Sequence, residues 1–177
     1  MPSARPADEK GSRAVDKGAA PAVVVDASFA LKLVLPEGHS EHVRRMWEAW
    51  VKEGTDVSAP YLLIYEVVSV LRNKVFRGEL RPEEGEAALL VIEAQGIRLL
   101  HVEGLEHVAW ELATELNRPA AYDTTYLALA QVLGCEFWTA DAKLKHAVQG
   151  RLPCLRWVGE LSPPGSYSGK ERGEKGD

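Results

Sequence analysis

Four carboxylates interrupt otherwise apolar or small-residue text. They are Asp26 in Val24-Val25-Asp26-Ala27-Ser28, Glu66 in Leu62-Leu63-Ile64-Tyr65-Glu66-Val67-Val68, Asp123 in Ala120-Ala121-Tyr122-Asp123-Thr124-Thr125, and Asp141 in Trp138-Thr139-Ala140-Asp141-Ala142. Glu66 is the most informative. Its helical neighbours three and four residues away are Leu62, Leu63, Ser69 and Val70, so no cation shares its face within reach. A buried carboxylate without a partner is costly enough to protonate instead. It needs a distant basic residue, a hydrogen-bond network or a metal ion; the alternative is a partly exposed or hydrogen-bonded glutamate. Asp26, Asp123 and Asp141 lie near expected helix starts, where aspartate caps backbone N–H groups, and taken singly each is as good a cap as a ligand. Several carboxylates brought together repel unless a cation neutralises them, and hard divalent ions such as Mg²⁺ or Mn²⁺ suit oxygen ligands. One such ion polarises a phosphoryl oxygen and lowers the pKa of a bound water; two, about 3.5–4 Å apart, clamp the attacking and leaving oxygens. The chemistry this set suggests is in-line hydrolysis of a phosphodiester, with the ion count left open.

The elements that must bring these acids together are readable from periodicity. Ala22 to Val25 is a continuous, mostly β-branched run, the mark of a strand buried on both faces. Ser28 offers an N-cap to a helix ending before Pro36, and Ser40 to Lys52 carries Val43, Met46, Trp47 and Trp50 on one helical stripe. Val57 to Ala59 suits a short strand, with Pro60 at a first-turn position before a helix from Tyr61 to Phe76. Pro82 opens a helix to Ala94; Ile97 to Val102 suits a strand and Leu105 to Leu116 a helix. A helix from Asp123 to Leu133 closes at Gly134, followed by a strand (Cys135 to Thr139), a short helix (Ala142 to Val148) and a last strand (Leu155 to Val158). Strands alternating with helices imply an α/β domain with a parallel sheet. In such a sheet the carboxyl ends of strands and the amino ends of helices share one edge, so all four acids are expected there.

The flanks read differently. Residues 1–21 and 162–177 are polar, without apolar periodicity, and are expected to be disordered tails around a folded domain of residues 22–161. No run approaches eighteen apolar residues, which excludes a membrane-spanning helix on length, and the first residues lack the apolar stretch of a secretory signal. Two cysteines are too few for a disulfide framework, and a reducing cytoplasm fits them. A net charge of −5 argues against holding nucleic acid by bulk charge, yet allows an enzyme that reaches phosphate through a cation. No Gly-rich nucleotide loop or Gly-x-Ser-x-Gly elbow is present.

At this point the text resembles the PIN-domain family, and within it the VapC toxin branch. The blocks that carry the resemblance are Val25-Asp26-Ala27-Ser28, Glu66-Val67-Val68-Ser69-Val70-Leu71, Tyr122-Asp123-Thr124-Thr125-Tyr126-Leu127-Ala128-Leu129-Ala130 and Thr139-Ala140-Asp141-Ala142-Lys143-Leu144. The resemblance extends across about Ala22 to Val158, and the last two blocks together are the most specific. The resemblance implies a three-layer α/β/α sandwich around a mostly parallel sheet and a Mg²⁺- or Mn²⁺-dependent endoribonuclease. It also implies homodimerisation and silencing by a small antitoxin. By position, Asp26, Glu66, Asp123 and Asp141 become the catalytic and metal-binding set, with Ser28 and Thr139 as hydrogen-bonding support. Where the second block often carries Asn, this chain has Ser69, which alters the support expected for Glu66. The long N-terminal tail is also atypical.

Among other residues, Lys32, one turn beyond Ser28, and Lys143, beside Asp141, are candidate phosphate contacts. Arg72, Lys74 and Arg77 sit at the far end of the Glu66 helix and read best as complements to its dipole. His39 and His42 read as a surface pair, and Trp47, Trp50 and Trp110 as core or dimer-interface residues. The principal alternative function is a PIN-like protein-binding module without catalysis. A receiver-like phosphoacceptor ranks last, because Asp26 has no acidic neighbour.

Overall fold

In a computed structural model, residues 21–148 and 150–160 are described. Apart from Pro21, the two expected tails lie outside these residues. The β-branched run forms β1 (Ala22–Val25), with three of its four residues buried. There follow α1 (Ala27–Val34), α2 (Ser40–Glu53), β2 (Asp56–Pro60), α3 (Leu62–Phe76), α4 (Pro82–Glu93), β3 (Arg98–Leu100), α5 (Leu105–Glu115), α6 (Tyr122–Leu133), β4 (Glu136–Thr139), α7 (Ala142–Ala147), β5 (Leu155–Trp157) and a 3₁₀ turn at Val158–Glu160. Gly134 ends α6 with φ of +66°, a left-handed conformation that a side chain would strain.

The five strands lie in the order β3-β2-β1-β4-β5, and every neighbouring pair is parallel. This is the expected three-layer α/β/α sandwich. Val24 pairs with Phe137 on the face where Tyr126 of α6 stacks on the Phe137 ring, 5.9 Å between centroids. Val25 pairs with Trp138 on the opposite face, where Trp50 of α2 meets Trp138 edge-on at 5.8 Å and stacks on Phe29 of α1 at 5.4 Å. Trp47 and Trp50 are therefore partly buried and packed against the core, whereas Trp110 is 72% exposed.

The winding reverses between β1 and β4: from β1 the chain builds outward through β2 to β3, then returns to β4 and β5 on the other side. A crevice opens at such a reversal, beyond the carboxyl ends of the strands. Asp26 directly follows β1 and Asp141 follows β4, so two of the acids sit at this crevice.

Some local expectations are corrected. Asp26, not Ser28, caps α1, because the helix starts immediately after the strand and the carboxylate reaches the Phe29 N–H. Pro60 ends β2 instead of opening α3; its missing N–H is harmless at a strand terminus. β3 is shorter than the apolar run predicts, being the edge strand with one neighbour and a partly exposed sequence. His39 adopts φ of +68° before α2, and its ring packs edge-on against Trp157.

Candidate active site

All four acids line one cavity of about 700 Å³, together with Ser28, Lys32, Glu37, Ser69, Lys74 and Tyr126. Each acid arrives by a different local device. Asp26 is buried, and its Oδ1 accepts from the Phe29 N–H (2.8 Å) and the Ser28 hydroxyl (2.7 Å), while its Oδ2 accepts from the Thr139 hydroxyl. Asp141 caps α7 through Oδ1, which accepts from the N–H groups of Lys143 (2.7 Å) and Leu144 (3.3 Å). Glu66 lies in the second turn of α3, half-buried, and its Oε2 accepts from the Tyr126 hydroxyl. Asp123 stands in the first turn of α6 and its Oδ2 accepts from Arg118 at 3.0 Å. That turn is pinned by buried Thr124, whose hydroxyl donates to the Ala109 carbonyl of α5.

Ser28 and Thr139 each bond to Asp26 and to the turn after β4. The Ser28 oxygen also accepts from the Ala140 N–H (2.9 Å), and the Thr139 oxygen from the Asp141 N–H (3.0 Å). Both hydroxyl protons are committed to Asp26, so the 3.2 Å approach between these two oxygens is a packing contact without a shared proton. The turn after β1 and the turn after β4 are thereby tied through one carboxylate.

Burial dominates the electrostatics. It pushes the Asp26 carboxyl up to about 6, against the lowering effect of the Thr139, Phe29 and Ser28 donors, and the Glu66 charge adds to the rise. Burial also raises Glu66, opposed by the Tyr126 hydrogen bond and reinforced by the Asp123 charge. Burial and the Glu66 bond hold the Tyr126 phenol above its ordinary range, so it remains a donor. Asp26, Glu66 and Asp123 thus feel one another's charge in sequence across the cavity.

The donor chemistry fits a hard divalent ion. Among the described residues, each carboxylate keeps an oxygen with spare acceptor capacity: Asp26 Oδ2, Glu66 Oε1, Asp123 Oδ1 and Asp141 Oδ2. No three His, Cys, Asp or Glu side chains among the described residues already stand in one ligating cluster. Mg²⁺ does not demand one, since it keeps several waters and takes one or two carboxylates directly.

Other expected residues fall elsewhere. Ser69 lines the cavity but donates to the Tyr65 carbonyl of its own helix (2.7 Å), so Tyr126 and not Ser69 supports Glu66. Lys143 is exposed and outside the cavity wall; its contribution to Asp141 is its backbone N–H. Lys32 lines the cavity, paired with Glu37. Lys74, expected only to complement the dipole at the far end of the Glu66 helix, lines it too, because residues 66, 70 and 74 share one helical face. Arg118 carries no sequence signal of its role; it stands five residues before Asp123, across a turn that periodicity does not describe.

A five-stranded parallel sheet whose carboxyl edge gathers carboxylates from four separate segments defines an α/β/α domain with an acidic cleft. The chain belongs to the PIN domain family, whose profile matches residues 23–149. Ribonuclease VapC9 of Mycobacterium tuberculosis is 32% identical over 131 residues, covering 74% of this chain and 94% of that protein. Among solved structures, PAE2754 of Pyrobaculum aerophilum superposes with a TM-score of 0.58 at 22% identity, covering 80% of this chain and 93% of its own. VapC20 of M. tuberculosis, a sarcin-ricin loop cleaving toxin, gives 0.55 at 19% identity, covering 71% and 94%. At these identities the two structures establish the fold.

Proposed function

We propose that this chain is a Mg²⁺- or Mn²⁺-dependent endoribonuclease of the VapC kind, the toxin of a toxin–antitoxin pair. The observation that carries the reading is the convergence of Asp26, Glu66, Asp123 and Asp141 on one cavity, each with acceptor capacity to spare. A divalent cation bound there supplies charge neutralisation, polarisation of a phosphoryl oxygen and a bound water of lowered pKa. The chain's own residues do the positioning. Ser28, Thr139 and the Phe29 N–H fix the Asp26 carboxylate in one orientation, Tyr126 fixes Glu66, and Arg118 fixes Asp123. In this reading Asp26, Glu66 and Asp123 coordinate the ion or orient its water, and Asp141 completes the shell directly or through water. Glu66, with Oε1 free of hydrogen bonds, is the residue we assign to take the proton of the attacking water.

The same proposal includes an antitoxin, a second copy of the chain and a cytoplasmic setting. Exposed apolar side chains on α3 and α4, among them Tyr65, Phe76 and Leu90, suit protein partners. Free Cys135 and Cys154 suit a reducing compartment, and no helix among the described residues is long and apolar enough to cross a membrane. The binding-module alternative has no observation in its favour, because no member of the acidic set is missing or turned away.

Asp26→Asn tests the function. The variant is expected to fold and to lose Mn²⁺-dependent cleavage of single-stranded RNA by more than about 100-fold. Cleavage at the wild-type rate by that variant removes the assignment.

A further inference from the structure

The cleft extends beyond the acids to an end where Lys32, Glu37 and Lys74 line the wall. Helix direction explains its charge. α1 and α3 pack on each other, and each carries an acid near the sheet edge and a lysine further along. Lys32 follows Asp26 by six residues and Lys74 follows Glu66 by eight, roughly 9 and 12 Å along the helix axes. The cavity therefore has an acidic pole and a basic pole.

At the basic pole, Lys32 Nζ lies 2.7 Å from one oxygen of Glu37, and Lys74 Nζ lies 2.8 Å from the other. Lys74 also reaches Glu79 at 3.2 Å. The lysine side chains are only 16% and 25% exposed. Two ammonium groups largely withdrawn from water are compensated here by one shared carboxylate. Glu37 supplies it from the connection between α1 and α2, presenting one carboxylate oxygen to each lysine. Two non-bridging oxygens of a backbone phosphodiester present the same pattern, with the same single negative charge, to the same donors.

We propose that Lys32 and Lys74 form a subsite for a second backbone phosphate of the RNA strand whose scissile phosphate lies at the acids, and that Glu37 occupies this subsite in the free protein. The inference rests on the ribonuclease reading and adds a competitor to it: RNA enters by displacing the Glu37 side chain. A chain of net charge −5 thereby gains phosphate affinity locally, at a fixed distance from the acids.

The test is equilibrium binding of a labelled, mixed-sequence single-stranded RNA to full-length protein in an Asp26→Asn background, so that nothing is cut. Lys32→Met and Lys74→Met keep the aliphatic stems and remove the charges. Each is expected to weaken binding by about tenfold and to reduce the slope of log Kd against log salt by about 0.7. Glu37→Gln is expected to tighten binding several-fold, and this gain should vanish when both lysines are methionine. Unchanged or weaker binding by Glu37→Gln overturns the proposal, as does a lysine variant with an unaltered salt slope. A lower Tm for Glu37→Gln with no gain in affinity also overturns it, by marking Glu37 as a structural clasp alone. Cleavage by wild type with Mn²⁺ is scored separately: its absence removes the ribonuclease reading, whereas a flat binding series beside intact cleavage removes only the subsite.

Discussion

At the scale of the residue, Asp26 is an anion maintained against its burial. Its folded-state pKa of about 6 lies above the ordinary value of 3.8. Proton binding therefore favours the folded state: that contribution is complete below pH ~4 and is lost as the pH rises through ~6. A shift of about two units corresponds to roughly 3 kcal/mol of stability forgone at neutral pH. Asp26→Asn has no charge to desolvate, and its amide still offers one acceptor oxygen to Phe29 and Ser28. In chelator at pH 7.5 the variant is expected to melt several degrees above wild type, with the gap closing toward pH 4.5. Paired thermal melts at the two pH values check this; a variant equally or less stable at both would mean that the buried charge carries no such penalty. The acids themselves were legible because carboxylates in apolar text are conspicuous. Their partners were not. Tyr126 reads as a core aromatic of α6, and nothing in sequence places its hydroxyl against Glu66, sixty residues away. Lys74 differs: in sequence it reads as a complement to the helix dipole, yet residues 66, 70 and 74 share a face, and that face carries it to the cavity.

At the scale of the element, most of the chain was readable because its punctuation is strong. Gly54 and Gly134 close α2 and α6 in left-handed conformations, and Pro82 opens α4. The errors fall where two elements meet without a spacer. Asp26 serves both as the residue after β1 and as the cap of α1, so Ser28 is released to bridge toward β4. This bridge makes Thr139 a joint between neighbouring strand ends. Its hydroxyl donates to Asp26 and accepts from the Asp141 N–H, and it is fully buried. Thr139→Val preserves the shape while leaving a partly buried N–H without its acceptor and a buried carboxylate with one donor fewer. The expected loss is about 1–3 kcal/mol in metal-free buffer, read by urea denaturation. Because fewer donors favour the protonated Asp26, the loss should be smaller at pH 4.5 than at pH 7.5. A pH-independent loss would place the effect in packing instead of in the Asp26 hydrogen bond.

At the scale of the whole molecule, a parallel sheet with one winding reversal forces the carboxyl ends of β1 and β4 together whatever the loops contain. The fold was legible to this extent: alternation of strand and helix implied one functional edge, and the four acids were expected on it. What alternation could not supply was strand order, hence which two acids share the crevice floor. The assembled edge gathers carboxylates whose mutual repulsion and burial oppose folding, so the free protein should be less stable than its packing allows. A cation that binds only the folded state reverses this by mass action, by about 2.7 kcal/mol at a hundredfold excess over its Kd. For a chain of this size that corresponds to a rise of roughly 5–10 °C in Tm. Titrating Mn²⁺ into chelator-treated wild type is expected to produce a saturable rise of this order, and Asp26→Asn should show little of it. The rise should also weaken below pH 6, where protons compete for Asp26. An equal rise in wild type and variant would assign the ion to some other part of the surface, and no rise at millimolar Mn²⁺ would leave the acids as a costly arrangement without the cation that accounts for it.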